Sequence, residues 1–190
     1  MTSSAVRLFF SVPVSDEARS GASGALRAMK RAAGDAPLSW TKDEQLHFTL
    51  AFLGELPESD LPRLREVAST LSRLRAFELI LSGAGAFPSP RKPRVLWLGA
   101  GQGVPELTEL AKLLADGLRS AGFELEERPF HPHFTVARVK PGGERGASRA
   151  LGASPQGELA RMRVDRLCLM QSQLSPRGAK HVVVAETRLG

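Results

Sequence analysis

Two short stretches of this sequence carry residues whose types and spacing could support catalysis. The pattern His-x-Thr occurs at His47 and Thr49 within LHFTLAFLG, and again at His133 and Thr135 within PHFTVARV, 86 positions later. In a β-strand alternate side chains share a face, so each His and Thr point one way and the interleaved apolar residues the other. The chain has four histidines, and these two motifs contain two of them.

Two imidazoles and two hydroxyls are suited to metal-free cleavage of a phosphodiester. A neutral histidine can accept a proton from a nucleophile while a charged one donates a proton to the leaving group. Threonine hydroxyls can donate hydrogen bonds to the non-bridging oxygens of a phosphate. Neither motif contains a carboxylate, which argues against a metal site and against glycosidase chemistry. We therefore expect no metal and no cofactor.

The motifs belong to a longer internal repeat. The sequence Ser-Pro-Arg at 89–91 recurs at 175–177 with the same offset of 86 residues. Apolar runs typical of strands begin near Arg7, Arg94 and Lys180 at a similar spacing. Only two copies are present and the period is too long for a solenoid. The sequence therefore predicts a single bilobal domain over 1–190 with an internal duplication of about 86 residues.

Each half of the chain shows a mixed pattern of strands and helices. Ser15 is placed to cap a helix that runs to about Lys30, and two later apolar stripes of helical period predict helices over 61–74 and 105–121. Predicted strands cover 7–12, 46–54, 77–81, 94–98, 132–139, 164–173 and 181–187. The stretch from the Gly-rich loop at 141–146 to about Ala160 has no clear pattern and could contain another helix. The expected fold class is α+β. It has two pseudo-symmetric lobes, each a mainly antiparallel sheet with outer helices, around a central cleft where the sheets face each other.

Composition restricts the function only loosely. Apolar residues make up 42% of the 190 positions and charged residues 24%, which is ordinary for a globular protein. No apolar run reaches the length of about 18 that a membrane span needs, and the apolar N-terminal stretch is read as a strand rather than a signal peptide. A net charge of +6 permits anionic partners. The lone Cys168 is read as a buried structural thiol and favours a reducing, cytoplasmic location.

The two motifs with their flanks, HFTLAFLG and RPFHPHFTVAR, resemble those of the 2H phosphoesterases. More narrowly, with the opening RLFFSVPV and the run RVLWLG, the chain is similar to the RNA 2′,3′-cyclic phosphodiesterases, also known as 2′-5′ RNA ligases. The resemblance extends over about residues 6–188. It implies a bilobal α+β fold, hydrolysis of a 2′,3′-cyclic phosphate to a 2′-phosphomonoester, and a weaker, reversible 2′-5′ ligation.

The resemblance also implies roles for individual residues. His47 and His133 would be the acid–base pair, and Thr49 and Thr135 the phosphate ligands. We assign His47 as the acid and His133 as the base, although the pseudo-symmetry of the motifs leaves the reverse open. Arg138, five residues after His133, matches the family arginine that contacts the phosphate.

Two further residues are candidates at the edge of this site. Phe52, five residues after His47, matches the family aromatic that stacks on the terminal base, and its alternative is a core aromatic. Strict alternation would put Phe52 and Arg138 on the face opposite the histidines, so they reach the site only if the strands twist, bulge or end there. His131 shares the face of His133 and is read as lying behind it or at the rim. His181 is read as structural or exposed.

The basic turns and the partners are less constrained by the sequence. Arg91 and Lys92, with Arg177 and Lys180 in the equivalent loop, could steer RNA or could form solvated turns. We expect RNA ends or cyclic nucleotides as partners, no membrane, no obligate protein partner and a monomer. The alternatives are a non-catalytic RNA- or nucleotide-binding module on the same fold, and a phosphodiesterase for another cyclic phosphate such as an ADP-ribose cyclic phosphate.

Overall fold

The computed structural model describes the backbone of residues 5–175 and 178–190 and the side chains of residues 5–173 and 180–190. Its strands are β1 (Ala5–Pro13), β2 (Leu38–Trp40), β3 (His47–Pro57), β4 (Phe77–Ser89), β5 (Lys92–Ala100), β6 (His133–Val139), β7 (Glu158–Val164), β8 (Arg166–Ser175) and β9 (Gly178–Arg188). Its α-helices are α1 (Asp16–Ala33), α2 (Leu61–Ser69), α3 (Val104–Ser120) and α4 (Glu144–Gly152). The predicted α+β class is confirmed.

The strands of both lobes form one antiparallel sheet, in the order β7-β4-β5-β6-β3-β1-β8-β9, with β2 beside β6. The expectation of two sheets facing each other is therefore wrong in one respect, because the two His-x-Thr strands, β3 and β6, are neighbours in a continuous sheet. Their ladder contains a single residue pair, Phe48 with Phe134. The lobes also differ from the sequence halves, since β1 and β3 share a lobe with the C-terminal strands β8 and β9.

The helices cover the apolar face of this sheet. Helix α1 begins where predicted, because the Ser15 hydroxyl accepts a hydrogen bond from the Ala18 N–H at 3.2 Å. Helices α1 and α4 lie against the half formed by β4, β5 and β7, and α2 and α3 lie against the other half. The core between these layers contains Phe10, Phe48 and Phe134, all fully buried.

Several element boundaries differ from the sequence prediction. Strands β2 and β7 were not predicted, and the expected strand over 164–173 is divided at Asp165 into the end of β7 and the start of β8. Helix α4 occupies part of the stretch read as poorly patterned. The predicted turn at 175–177 includes residues outside the described part of the chain.

The central seam of the sheet is the junction between β3 and β6. The strand register on one side of it repeats on the other side with the offset of 86 residues seen in the sequence. Strand β1 pairs Phe9 with Phe52 and Ser11 with Thr49. Strand β5 pairs Val95 with Arg138 and Trp97 with Thr135, so each partner lies 86 residues further along. We propose on this ground that the two half-sheets descend from one duplicated unit.

Replacing Phe48 by alanine should lower the free energy of unfolding by about 3–5 kcal/mol, the usual cost of deleting a buried aromatic ring. Phe52→Ala is the matched control. Because that ring is 55% exposed, its loss should change stability by no more than about 0.5 kcal/mol. Urea titrations followed by tryptophan fluorescence measure both values. Equal unfolding midpoints for the two variants would contradict this account of the seam.

Candidate active site

The seam between β3 and β6 brings the two motifs together on one face of the sheet. Phe48 and Phe134 are Cα partners, and their rings meet edge to face with centroids 5.2 Å apart. Both rings point into the core, so the residues before and after them point the opposite way. His47 and His133 are then diagonal neighbours on adjacent antiparallel strands, a relation in which Cα atoms lie about 7–8 Å apart.

Each of the two histidines is held by a hydrogen bond from its ring to the backbone carbonyl two residues before it. His47 Nδ1 lies 2.7 Å from the carbonyl oxygen of Gln45, and His133 Nδ1 lies 2.6 Å from that of His131. A carbonyl oxygen can only accept, so the proton of each neutral ring is on Nδ1. Each Nε2 is therefore left with a lone pair, ready to take or return a proton.

A β-bulge in each motif strand turns Phe52 and Arg138 to the side of the histidines. The pairing of β3 with β1 skips Leu50, and that of β6 with β5 skips Val136. An extra residue reverses the alternation of the strand. Leu50 and Val136 are accordingly buried, whereas Phe52 and Arg138 are both exposed.

The core alternative for Phe52 is therefore wrong. Its ring lies 5.9 Å from that of Phe9 and lines an open cavity of about 570 Å³. Arg7 and Arg128 line the same cavity, together with Glu124 and Glu126. The ring is thus accessible to a planar ligand, and its role as a stacking surface stays a prediction.

His181 lies beside His47, a position that the sequence analysis missed. The two rings meet edge to face at 5.3 Å, and Phe9 contacts both at 5.0 Å. His181 is on β9, three strand intervals from β3, which would be about 14 Å in a flat sheet. The half-sheet must therefore curl around His47, and no local sequence pattern reports such a long-range approach.

The surroundings of His133 are aromatic. Its ring lies 4.8 Å from Phe87 and 6.1 Å from Trp97, and the ring of His131 lies 5.7 Å away. Gly85 makes room for the indole, because a Cβ at that position would overlap the ring of Trp97. His131 is thus adjacent to His133, and its backbone carbonyl is the group that orients the His133 ring.

Burial lowers the pKa of both motif histidines. It lowers the pKa of His47 to about 4, and the charges of His181, His133 and Arg138 act in the same direction, while the hydrogen bond to Gln45 opposes them. The pKa of His133 is also lowered, by burial and then by the charge of His131, against its backbone hydrogen bond. Both rings are therefore neutral in the free protein at pH 7, so protonation of either one must be favoured by a bound anion.

The remaining candidates from the sequence are Cys168 and the basic residues of the two turns. Cys168 is buried, and burial raises the pKa of its thiol to about 11, so the thiol stays protonated, as a structural cysteine should. Arg91, Lys92 and Lys180 are exposed, whereas Arg177 lies outside the described residues.

Within the described ranges, no three His, Cys, Asp or Glu side chains converge as metal ligands. In the same part of the chain, no helix is long and apolar enough to span a membrane.

Comparison with known proteins gives consistent matches. The profile of the 2′-5′ RNA ligase superfamily matches residues 15–175. An RNA 2′,3′-cyclic phosphodiesterase from Methanothermobacter thermautotrophicus is 35% identical, over 91% of this chain and 93% of its own. The crystal structure of TT0787 from Thermus thermophilus superimposes with a TM-score of 0.78 at 28% identity, covering 96% of this chain and 97% of its own. Escherichia coli LigT complexed with 3′-AMP gives 0.75 at 25% identity, covering 98% and 99%.

The depressed pKa of His47 predicts a specific loss of stability in acid. Between pH 6.5 and pH 4 the unfolded chain binds a proton at this position and the folded chain does not, so stability falls as the pH is lowered through that window. Once the pH has fallen below both values, this difference in pKa lowers the free energy of unfolding by about 3 kcal/mol. In His47→Asn the amide can still donate to the Gln45 carbonyl but cannot titrate. This variant should therefore lose less stability than the wild type between pH 7 and pH 4, and parallel curves from urea titrations would contradict the assignment.

Proposed function

The chain belongs to the 2′-5′ RNA ligase superfamily, and on that premise we propose that it hydrolyses RNA 2′,3′-cyclic phosphate ends to 2′-phosphomonoesters through His47 and His133. It is an enzyme, and its relatives named RNA 2′,3′-cyclic phosphodiesterases are similar over most of their length. The observation that carries the mechanism is the matched contact of each Nδ1 with a backbone carbonyl, which puts the proton on Nδ1 and leaves each Nε2 free to accept one.

The reaction requires one proton to be taken and one to be given. Water attacks the phosphorus in line with the bond to O3′, one neutral histidine removes a proton from that water, and the charged histidine protonates O3′ as its bond to phosphorus breaks. The products are a 2′-phosphate and a free 3′-hydroxyl. Thr49 and Thr135, which flank the histidines on the same face, donate hydrogen bonds to the phosphoryl oxygens. Arg138 adds positive charge beside them.

The same step with a different nucleophile gives ligation. If the 5′-hydroxyl of a second RNA replaces water, the attack on phosphorus releases O3′ and leaves a 2′-5′ phosphodiester. No other change in the site is needed, because the base accepts its proton from either hydroxyl. We therefore propose ligation as a reversible side reaction of the same two histidines.

The burial of His47 leads us to reverse the acid–base assignment made from the sequence. His47 has the more strongly depressed pKa, about 4, and is held neutral beside Arg138 and His181. Both rings are neutral with a free Nε2, but His47 is the harder of the two to protonate before substrate binds, so we propose that His47 is the base that activates the water. His133, among aromatic rings and the exposed His131, is then the acid that protonates O3′ once the anionic phosphate has bound.

We propose that the enzyme acts as a monomer on RNA ends, without an obligate protein partner. We also propose a cytoplasmic location, because the single cysteine, Cys168, is a buried thiol that cannot form an intramolecular disulfide.

The product assay tests the main proposal. An RNA oligonucleotide ending in a 2′,3′-cyclic phosphate should yield the 2′-phosphate, resolved from the 3′-phosphate, at a rate that a chelator does not change. His47→Asn and His133→Asn should each lose at least about 100-fold in kcat, the usual contribution of a general acid or base. Binding that survives both substitutions without any wild-type turnover would favour the non-catalytic module. A higher kcat/KM on an ADP-ribose cyclic phosphate would favour the other cyclic substrate.

A substrate with sulfur in place of O3′ tests the direction of proton transfer. A thiolate leaves without help from an acid, so His133→Asn should recover most of its lost rate on this 3′-thio cyclic phosphate, whereas His47→Asn should stay slow. Ratios of kcat between the oxygen and sulfur substrates measure the effect for each variant. Recovery by His47→Asn instead would restore the original assignment of His47 as the acid.

A further inference from the structure

The motif chemistry leaves one half-buried histidine of this cleft without a role. His181 lies against His47 with the ring planes at 84° and centroids 5.3 Å apart. It is partly shielded from solvent, and its Nδ1 is buried with no hydrogen-bond partner among the described residues. A buried polar atom without a partner is costly, and in a native structure it usually indicates a ligand or an ordered water.

The charges around this ring indicate what the ligand would be. Burial lowers the pKa of His181, and the nearby cation of Arg138 lowers it further, so the ring is neutral at pH 7. The same cation lowers the pKa of His47. The charge of Arg138 therefore acts on both His47 and His181. Arg7 lies in the same cross-strand row as His181, through Ser172. An anionic oxygen is the group that such a place would favour.

We propose that His181 is a substrate-binding residue whose Nδ1–H donates a hydrogen bond to a phosphate oxygen on the His47 side of the cleft. This inference rests on the proposed phosphoesterase function and adds a third imidazole to it. The neutral ring has one N–H to donate, and the ring lies against His47, beside which the phosphate would be bound. The phosphate would then be bound by groups from three strands, β3, β6 and β9.

A role in packing alone is the competing explanation, because the ring also contacts Phe9 at 5.0 Å. The two explanations predict opposite orders for two variants. His181→Phe keeps an aromatic ring against Phe9 and His47 but removes the donor. His181→Asn removes the ring but retains a donor, because its amide nitrogen is the same number of bonds from the Cα as Nδ1.

The experiment measures kcat/KM on a 2′,3′-cyclic phosphate oligonucleotide, together with the Kd for 2′-AMP by calorimetry. His181→Phe should lose about 10- to 100-fold in both quantities, the range for a hydrogen bond to a charged group. His181→Asn should stay within about threefold of the wild type. Val183→Ser is the matched control, since Val183 lies on the same strand and its side chain is 54% exposed. It should behave like the wild type.

The outcomes separate this proposal from the proposed function. If His181→Phe is fully active and His181→Asn is impaired, packing explains the residue and the proposal is wrong, while the hydrolase function stands. If wild-type protein does not hydrolyse the cyclic phosphate but binds 2′-AMP with the order given above, the function fails and the role of His181 in phosphate binding stands. Equal behaviour of both His181 variants, or no binding of 2′-AMP by the wild type, overturns the proposal.

Discussion

The edge-to-face pair of Phe48 and Phe134 is the contact on which the rest of the site depends. It is the single residue pair in the ladder between β3 and β6, and both rings are completely buried. Because side chains alternate along a strand, the burial of these two rings forces His47, Thr49, His133 and Thr135 onto the opposite face. A slip of one residue in either strand would move one histidine into the core. The packing of the core pair on one face of the sheet thus fixes the geometry of the proposed catalytic residues on the other face.

The same burial determines when the site can hold a proton. The charged groups that shift the pKa of His47 are His181, His133 and Arg138, all of them cationic when charged, and desolvation acts in the same direction. A protonated imidazole is therefore unfavourable in the empty cleft. A bound phosphate monoanion would add negative charge to the cleft and so raise the pKa of the histidine beside it, which could then be protonated and act as an acid. In the proposed mechanism, substrate binding and proton uptake are therefore coupled.

Local patterns predicted much of this structure, and long-range pairing accounts for most of what they missed. The motif strands, the Ser15 cap and the offset of 86 residues are all readable from neighbouring residues. Strand β7 had a readable signal too, since Met162 and Val164 are buried and alternate with Arg161 and Arg163. The continuity of the sheet and the approach of His181 depend on which strands pair, and a single sequence does not state this.

The bulges were the harder problem because nothing in the sequence marks them. Leu50 and Val136 are ordinary strand residues, yet the extra residue at each place carries Phe52 and Arg138 to the cleft. The two bulges are equivalent, but the residues they present are not, since one is an aromatic ring and the other a cation. The two oxygens of a 2′,3′-cyclic phosphate also differ in what they are attached to, and a perfectly symmetric site could not tell them apart. In the proposed reaction, the direction of cleavage would therefore come from the residues that break the symmetry. Phe52 on β3 corresponds to Arg138 on β6, and His181 beside His47 corresponds to the aromatic rings around His133.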